Sequence, residues 1–260
     1  MRRERFLQVT LTTQAPLHIG GPDDPLATAK NVVSKVGDRV VIPGPTLKGA
    51  LRAELEQFLI DQHFEAAAGQ WAPGREAARP CIPAAEPSKD ERKLIEGGRY
   101  SQEACRYTSP VGGRREGKSS KVICPCCYLL GAMGIGGFLR VPFLDGDAAT
   151  NQLYSAGIDR ATGTVRAQTN RPYELVPAGA IFTGKLSVLI EDTRLGWQLG
   201  RSREFANGET QDKWLVGNPM EQDRVVQDYV VARLQSIALI GGYKSKGFGE
   251  VSVKVEEVQD

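Results

Sequence analysis

The sequence predicts an α+β fold formed as one unit over residues 1–260. Alternating apolar residues open and close the chain as strands, two amphipathic helices stand far apart, and a polar, cysteine-bearing stretch lies between them. At the start, Leu7, Val9 and Leu11 share one face while Gln8, Thr10 and Thr12 share the other, as in a sheet covered on one side. A loop, Gly20-Gly21-Pro22-Asp23-Asp24-Pro25, leads to a short strand, Arg39-Val40-Val41-Ile42. The first helix is expected to begin near Thr46 as N-cap, with Leu47, Leu51, Leu55, Phe58 and Leu59 at helical spacing. Gly49 falls inside it, where glycine costs roughly 1 kcal/mol relative to alanine, so a close approach by another backbone is expected there.

Over 66–123 the apolar periodicity lapses, and this insertion, closing at 128, is expected to be held by something other than a hydrophobic core. Strands resume at 138–143 and 180–190. A polar stretch, 191–219, precedes a second helix at roughly 221–240, whose buried stripe is Val225, Val226, Tyr229, Val230, Leu234, Ile237 and Ala238. A glycine-rich loop then feeds a last strand with Val251, Val253 and Val255 on one face. This order fits a sandwich of the ferredoxin-like type, with the first and last strands as central neighbours.

Composition excludes several classes. The chain has 260 residues, 41% of them hydrophobic, and a formal net charge of +2. It is long enough to form a core and is neither disordered nor basic throughout. It has no apolar run of about 18 residues, so no transmembrane helix and no membrane partner are expected. The N-terminus alternates instead of forming the apolar core of a signal peptide, so a cytoplasmic location is expected. In that compartment five clustered cysteines suggest a metal more than disulfides. Cys81, Cys105, Cys124 and Cys127 are the candidate ligands of a structural zinc, with buried free thiols as the alternative.

Three elements suit a polyanion. In Gly241-Gly242-Tyr243-Lys244-Ser245-Lys246-Gly247-Phe248-Gly249, glycines allow backbone N–H groups to approach an anion, and Lys244 and Lys246 add charge. The plainer reading is a turn with solvated lysines. The start of the first helix offers free N–H groups beside Lys48 and Arg52, which also read as ordinary surface cations. Arg160, Arg166 and Arg171 form the third element, and Arg114, Arg115, Lys118 and Lys121 extend the basic surface or are simply a solvated face. With two histidines, His18 and His63, a Ser-His-Asp triad has little room, and His18 reads as a packed or loop-orienting residue.

Leu17-His18-Ile19-Gly20-Gly21, Ile42-Pro43-Gly44-Pro45-Thr46-Leu47-Lys48-Gly49-Ala50-Leu51-Arg52, the 124–131 segment, Ile158-Asp159-Arg160-Ala161-Thr162-Gly163, Val176-Pro177-Ala178-Gly179 and the 241–249 loop occur in one order across nearly the whole chain. Together they resemble the RAMP superfamily, most closely the backbone subunits of type III CRISPR effector complexes. The resemblance implies a modified RRM-like palm, a zinc-stabilised insertion over 66–128 and a β-hairpin thumb over 150–180. It implies copies stacked in a filament along a CRISPR guide RNA, with target RNA and other effector subunits as further partners. Carried onto this sequence, His18, Lys48, Gly49, Arg52, Gly242, Lys244, Lys246 and Gly247 contact the guide, and Arg160, Arg166 and Arg171 lie near the thumb's kink.

Active type III backbone subunits carry a target-cleaving Asp before the I-P-G segment. The matching place here, near Ala29, Lys30 and Asn31, holds none. The expectation is therefore binding without cutting, as in type III-D-like subunits or type VII complexes, where a separate nuclease cuts. The alternative is a metal-dependent endoribonuclease using Asp24 or Asp23. Further alternatives are a guide-processing endoribonuclease of the same superfamily, disfavoured by the scarcity of histidine, and a zinc-stapled small-molecule enzyme, for which no acid–base pair is visible.

Overall fold

The computed structural model describes residues 1–21, 31–84, 86–109, 118–169 and 171–259. In chain order the first elements are strands β1 (Arg2–Thr13), β2 (Lys35–Val36) and β3 (Arg39–Ile42), followed by helix α1 (Gly44–His63). Next come strands β4 (Phe64–Glu65) and β5 (Gln70–Trp71), and helices α2 (Lys89–Glu96) and α3 (Pro125–Leu130). Strands β6 (Leu139–Arg140), β7 (Leu144–Gly146), β8 (Asn151–Ser155), β9 (Arg171–Leu175), β10 (Ile181–Asp192) and β11 (Trp197–Gln198) follow. Gln222–Arg224, Val225–Val231 and Ala232–Gln235 run on as one helix, α4, and β12 (Val251–Val258) closes the chain.

The main sheet has the order β12-β1-β10-β7-β3-β2, with β6 and β11 also pairing with β10. Its ladders are antiparallel, so the architecture is α+β. Leu7, Val9 and Leu11 of β1 are buried in one core with Leu47, Leu51, Leu55 and Leu59 of α1 and Val225, Val226, Val230 and Leu234 of α4. The four-residue spacing of the α1 leucines keeps one face inward.

Several expectations need correction. The last strand does pair with β1, but it lies at the sheet edge, and β1's other neighbour is β10. Accordingly Val251 and Val255 are buried while Val253 is only partly so. Helix α1 begins at Gly44, with Pro43 as N-cap and Pro45 in the first turn, so Thr46 is already inside it. Proline's fixed φ and missing N–H suit that position. The strand expected at 138–143 is interrupted, since Pro142 has no N–H for the ladder, and pairing with β10 resumes at β7. The second helix ends at Gln235, and its Val225–Val231 part is π-helical.

Residues 66–123 are better packed than their composition suggests. Trp71, Cys81, Cys105 and Ile123 join the main core. Helix α2, unforeseen, is closed by a capping box: Glu91 N donates to Ser88 Oγ at 3.3 Å and Ser88 N donates to Glu91 Oε2 at 2.7 Å. The 191–219 stretch, read as merely polar, hides a buried ion pair. Arg203 donates to Asp212 through Nε at 2.8 Å and Nη2 at 3.1 Å, and both side chains are almost wholly buried. The guanidinium lies within 4.7–5.5 Å of the ring centroids of Tyr128, Phe138, Trp197 and Phe205.

Candidate nucleic-acid interface

A groove of about 580 Å³ runs between the first half of α1, the Ile19-Gly20 loop and the segment 238–244. Thr46, Gly49, Ala50, Ala53 and, at its far end, Glu54 line its α1 side. A Cβ at Gly49 would meet nothing within 4 Å, so no protein backbone approaches; the glycine instead keeps this face of the groove open. No side chain caps the start of α1 and no acid sits in its first turn, but the free N–H groups expected there are engaged: Thr46 N and Leu47 N donate to Pro43 O at 2.9 and 3.2 Å and Pro45 has none, so only the helix dipole favours an anion. Lys48 is exposed one turn on.

The opposite wall is the glycine-rich loop, and it is pinned. Gly242 N donates to His18 O at 2.9 Å, and Gly249 N donates to Pro16 O at 2.9 Å. Gly241 has φ +84°, and a Cβ there would stand 2.5 Å from His18 O, so only glycine fits. Tyr243 adopts φ 58°, an unusual conformation for a residue with a side chain, and Lys244–Lys246 form a single 3₁₀ turn before Gly247. Lys244 lines the groove; Lys246 is exposed, with Nζ 4.9 Å from the Tyr243 ring centroid. The site thus brings together Gly49, Gly242 and Lys244, with Lys48, Lys246 and Gly247 close by in sequence.

Two predicted contacts sit elsewhere. His18 is buried beneath the loop. Its Nδ1 is 2.7 Å from Glu174 O, and its ring lies 5.0 Å from Tyr243 and 6.5 Å from Tyr173. It orients the loop instead of facing a ligand. Tyr243, which sequence reasoning passed over, completes that aromatic cluster; a large ring amid glycines and lysines was the available signal.

Arg52 is the larger departure. It points away from the groove to the cysteines, donating from Nη2 to Cys81 O at 2.6 Å and Cys81 Sγ at 3.4 Å. Its Nη1 lies 3.6 Å from Cys127 Sγ, and its Nε is 2.6 Å from Glu56 Oε1. Burial works against the charged guanidinium, yet the negative groups of Cys127, Cys126, Cys124 and Glu56 outweigh it and raise its pKa.

Cys81, Cys105, Cys124 and Cys127 are buried, with ligand atoms all within 4.8 Å of one another. A tetrahedral ion with metal–sulfur bonds of about 2.3 Å has sulfur–sulfur edges of about 3.8 Å. The Cys81–Cys127 and Cys81–Cys124 separations, 3.5 and 3.9 Å, bracket that value. Cys105 N and Cys124 N point at Sγ of Cys81 and Cys105, both at 3.4 Å, as suits thiolate ligands. The four residues can hold a metal ion, and Cys126 lies outside the set.

Strands β8 and β9 form a separate hairpin. Its base is tied to the groove loop by reciprocal Leu17–Val176 backbone bonds of 2.8 Å. Glu174 accepts from Lys35 Nζ at 2.6 Å, Val33 N at 3.0 Å and Thr150 Oγ1. Burial disfavours its charge, but these donors prevail and lower its pKa below the ordinary 4.5. A depressed folded pKa contributes stability above 4.5 that is lost as pH falls through the lowered value. Protection factors for hydrogen exchange at the hairpin base, taken against the intrinsic rate at each pH, are therefore expected to fall below pH 4.5, and Glu174→Gln is expected to weaken that pH dependence.

Toward the hairpin's end, Asp159 accepts from the N–H groups of Ala161 and Thr162 at 2.9 and 3.1 Å, shaping the turn that carries Arg160. Arg160, Arg166 and Arg171 are exposed, with Arg166 3.8 Å from Asp159. Asp23, Asp24, Arg114 and Arg115 lie outside the described residues.

A family model for the RAMP superfamily matches residues 10–252. The chain belongs to the RAMP superfamily. The match runs from β1 to β12, so it takes in the groove, the cysteine cluster and the hairpin together. Membership of the RAMP superfamily points to a CRISPR-associated, RNA-binding role, and its members work in complexes with guide RNA and other subunits. No curated protein matches the chain. No helix among the described residues is long and apolar enough to cross a membrane.

Proposed function

We propose that this chain is a guide-RNA-binding backbone subunit of a CRISPR effector complex, and that it presents the guide for target pairing without cutting the target. The observation that carries this reading is the groove, in which an uncapped helix start, an open glycine face and Lys244 converge. Such a site attracts phosphates through the helix dipole and cations and leaves sequence to be read by base pairing. The strand order β12-β1-β10-β7, with α1 and α4 on one face, supports a ferredoxin-like, RRM-type palm. The hairpin β8–β9 supports a thumb bearing Arg160, Arg166 and Arg171, and the four thiols support a structural zinc in the 66–128 insertion. Arg52 then acts through the zinc site instead of touching RNA: four thiolates around a divalent ion leave excess negative charge, which it offsets.

The test is to purify the protein with its genomic neighbours and a repeat–spacer array and sequence the RNA that co-purifies. Uniform repeat-tagged guides are expected; random RNA lost at moderate salt would refute the assignment. Lys244→Ala is expected to weaken binding and flatten the salt dependence by about 0.7 in log–log slope, the contribution of one single-strand phosphate contact. Gly49→Ala is expected to raise thermal stability, by roughly 1 kcal/mol of helix propensity, while lowering RNA affinity because its methyl enters the groove. A variant that loses both stability and affinity would instead make Gly49 a packing residue. Metal-dependent target cleavage abolished by Asp24→Ala would overturn the non-cutting part of the proposal.

A further inference from the structure

A second cavity, of about 250 Å³, lies where the C-terminal end of α1, the insertion and α4 meet. Along α1 the groove ends at Glu54 and this cavity begins at Phe58, about 6 Å or one turn further on, and the two share no lining residue. Its walls are aromatic. Phe58 meets Tyr229 edge-on with centroids 5.3 Å apart, and Trp214 lies 6.2 Å from Tyr229. One side is the π-helical part of α4, a geometry that recurs at functional sites.

Two arginines line the cavity in different states. Arg224 is compensated, with Nε 3.3 Å from Asp228 Oδ2, whereas Arg75 makes no ion pair among the described residues. Tyr229 is only 9% exposed, yet its hydroxyl has no hydrogen-bond partner among the described residues. Burial raises the phenol's pKa, and Tyr229 lines the cavity together with Arg224, Asp228 and Arg75. Arg75 also acts on His63, whose pKa is lowered by burial and then by that cation. The interior is therefore aromatic with more arginine than acid, and Trp214 Nε1, buried with no hydrogen-bond partner among the described residues, is a donor awaiting an acceptor.

We infer that this cavity binds a ribonucleoside monophosphate, its base against the Phe58, Trp214 and Tyr229 rings and its phosphate on Arg75. Aromatic faces stack any base, the Gln62 and Asn218 carboxamides offer the paired donors and acceptors that a base edge requires, and an uncompensated guanidinium matches a phosphate. The ligand is either a free nucleotide or the phosphorylated end of an RNA strand.

The test titrates AMP, GMP, CMP and UMP into the full chain by calorimetry, alongside an oligoribonucleotide with and without a 5′ phosphate. Saturable binding of at least one monophosphate is expected, weakened about tenfold or more by Arg75→Gln and severalfold by Tyr229→Phe, and unchanged by Lys244→Ala. Equal affinity for the monophosphate and the phosphorylated oligomer assigns a free nucleotide. Tighter binding of the phosphorylated oligomer than of its unphosphorylated twin, lost in Arg75→Gln, assigns a strand end. No monophosphate binding at millimolar concentration, or binding indifferent to both substitutions, would overturn the inference. So would a change of oligomeric state as the sole effect of Arg75→Gln, which would make the cavity a contact between copies. Failure of the groove assignment would appear in Lys244→Ala alone and leave this result standing.

Discussion

Cys124→Ser is expected to unfold the 66–128 segment and abolish the zinc binding proposed for it. Cys124 is fully enclosed, begins α3 as its N-cap, and lies 3.9 Å from Cys81 Sγ. A structural zinc at four thiolates contributes roughly 10–16 kcal/mol of apparent binding free energy near neutral pH, and that free energy is folding free energy wherever the unfolded chain lacks the site. A hydroxyl in place of the thiolate loses a ligand and leaves Arg52 beside a depleted set of negative groups. Elemental analysis of the purified protein should give one zinc per chain, and far less in the variant. Hydrogen exchange should show protection lost over 66–128 and retained in β1 and β10. Cys126→Ala, outside the cluster, should keep its zinc. Full metal content in Cys124→Ser, or an unchanged melting profile after chelation of the wild-type protein, would remove zinc from the account.

Asp212→Ala is expected to cost about 3–5 kcal/mol, the range for breaking a buried ion pair from one side. Arg203 would keep its charge inside a ring of Tyr128, Phe138, Trp197 and Phe205 with its bidentate acceptor gone. Asp212 also accepts from Arg203 N at 2.9 Å, so a backbone donor is orphaned as well. Replacing both partners with apolar residues of similar volume, Arg203→Met with Asp212→Leu, should recover much of the loss, because neither charge then needs solvation. Chemical denaturation of the two variants provides the comparison. A single-variant cost below about 1 kcal/mol would mean that water reaches the pair in solution.

These two sites differ in how much of them was readable beforehand. The cysteines announce themselves through residue type and the Cys124/Cys127 spacing, and tetrahedral chemistry then limits what they can do. Nothing local marks Arg203 and Asp212, which look like ordinary members of a polar loop until the fold places them among four rings. The same contrast runs through the groove. Gly49, Gly242 and Lys244 were singled out in the sequence and do line one groove, but the expected close approach of a backbone to Gly49 is absent, since nothing local shows that its face is open. Arg52 was misassigned because its neighbours along the chain suggested the groove, while its partners, Cys81 and Cys127, are far away in sequence.

Periodicity alone determined β1, β12 and the inward faces of α1 and α4, since a two-residue or 3.6-residue repeat of apolar side chains stabilises one backbone geometry and one buried face. The ordered motifs determined the family. Tertiary structure alone decided which edge β12 occupies, which way Arg52 turns, how His18 and Tyr243 brace the loop, and that the Phe58–Trp214–Tyr229 cavity exists. Each of these depends on groups brought together from distant parts of the chain, where desolvation, charge pairing and ring contacts act only after the fold has formed.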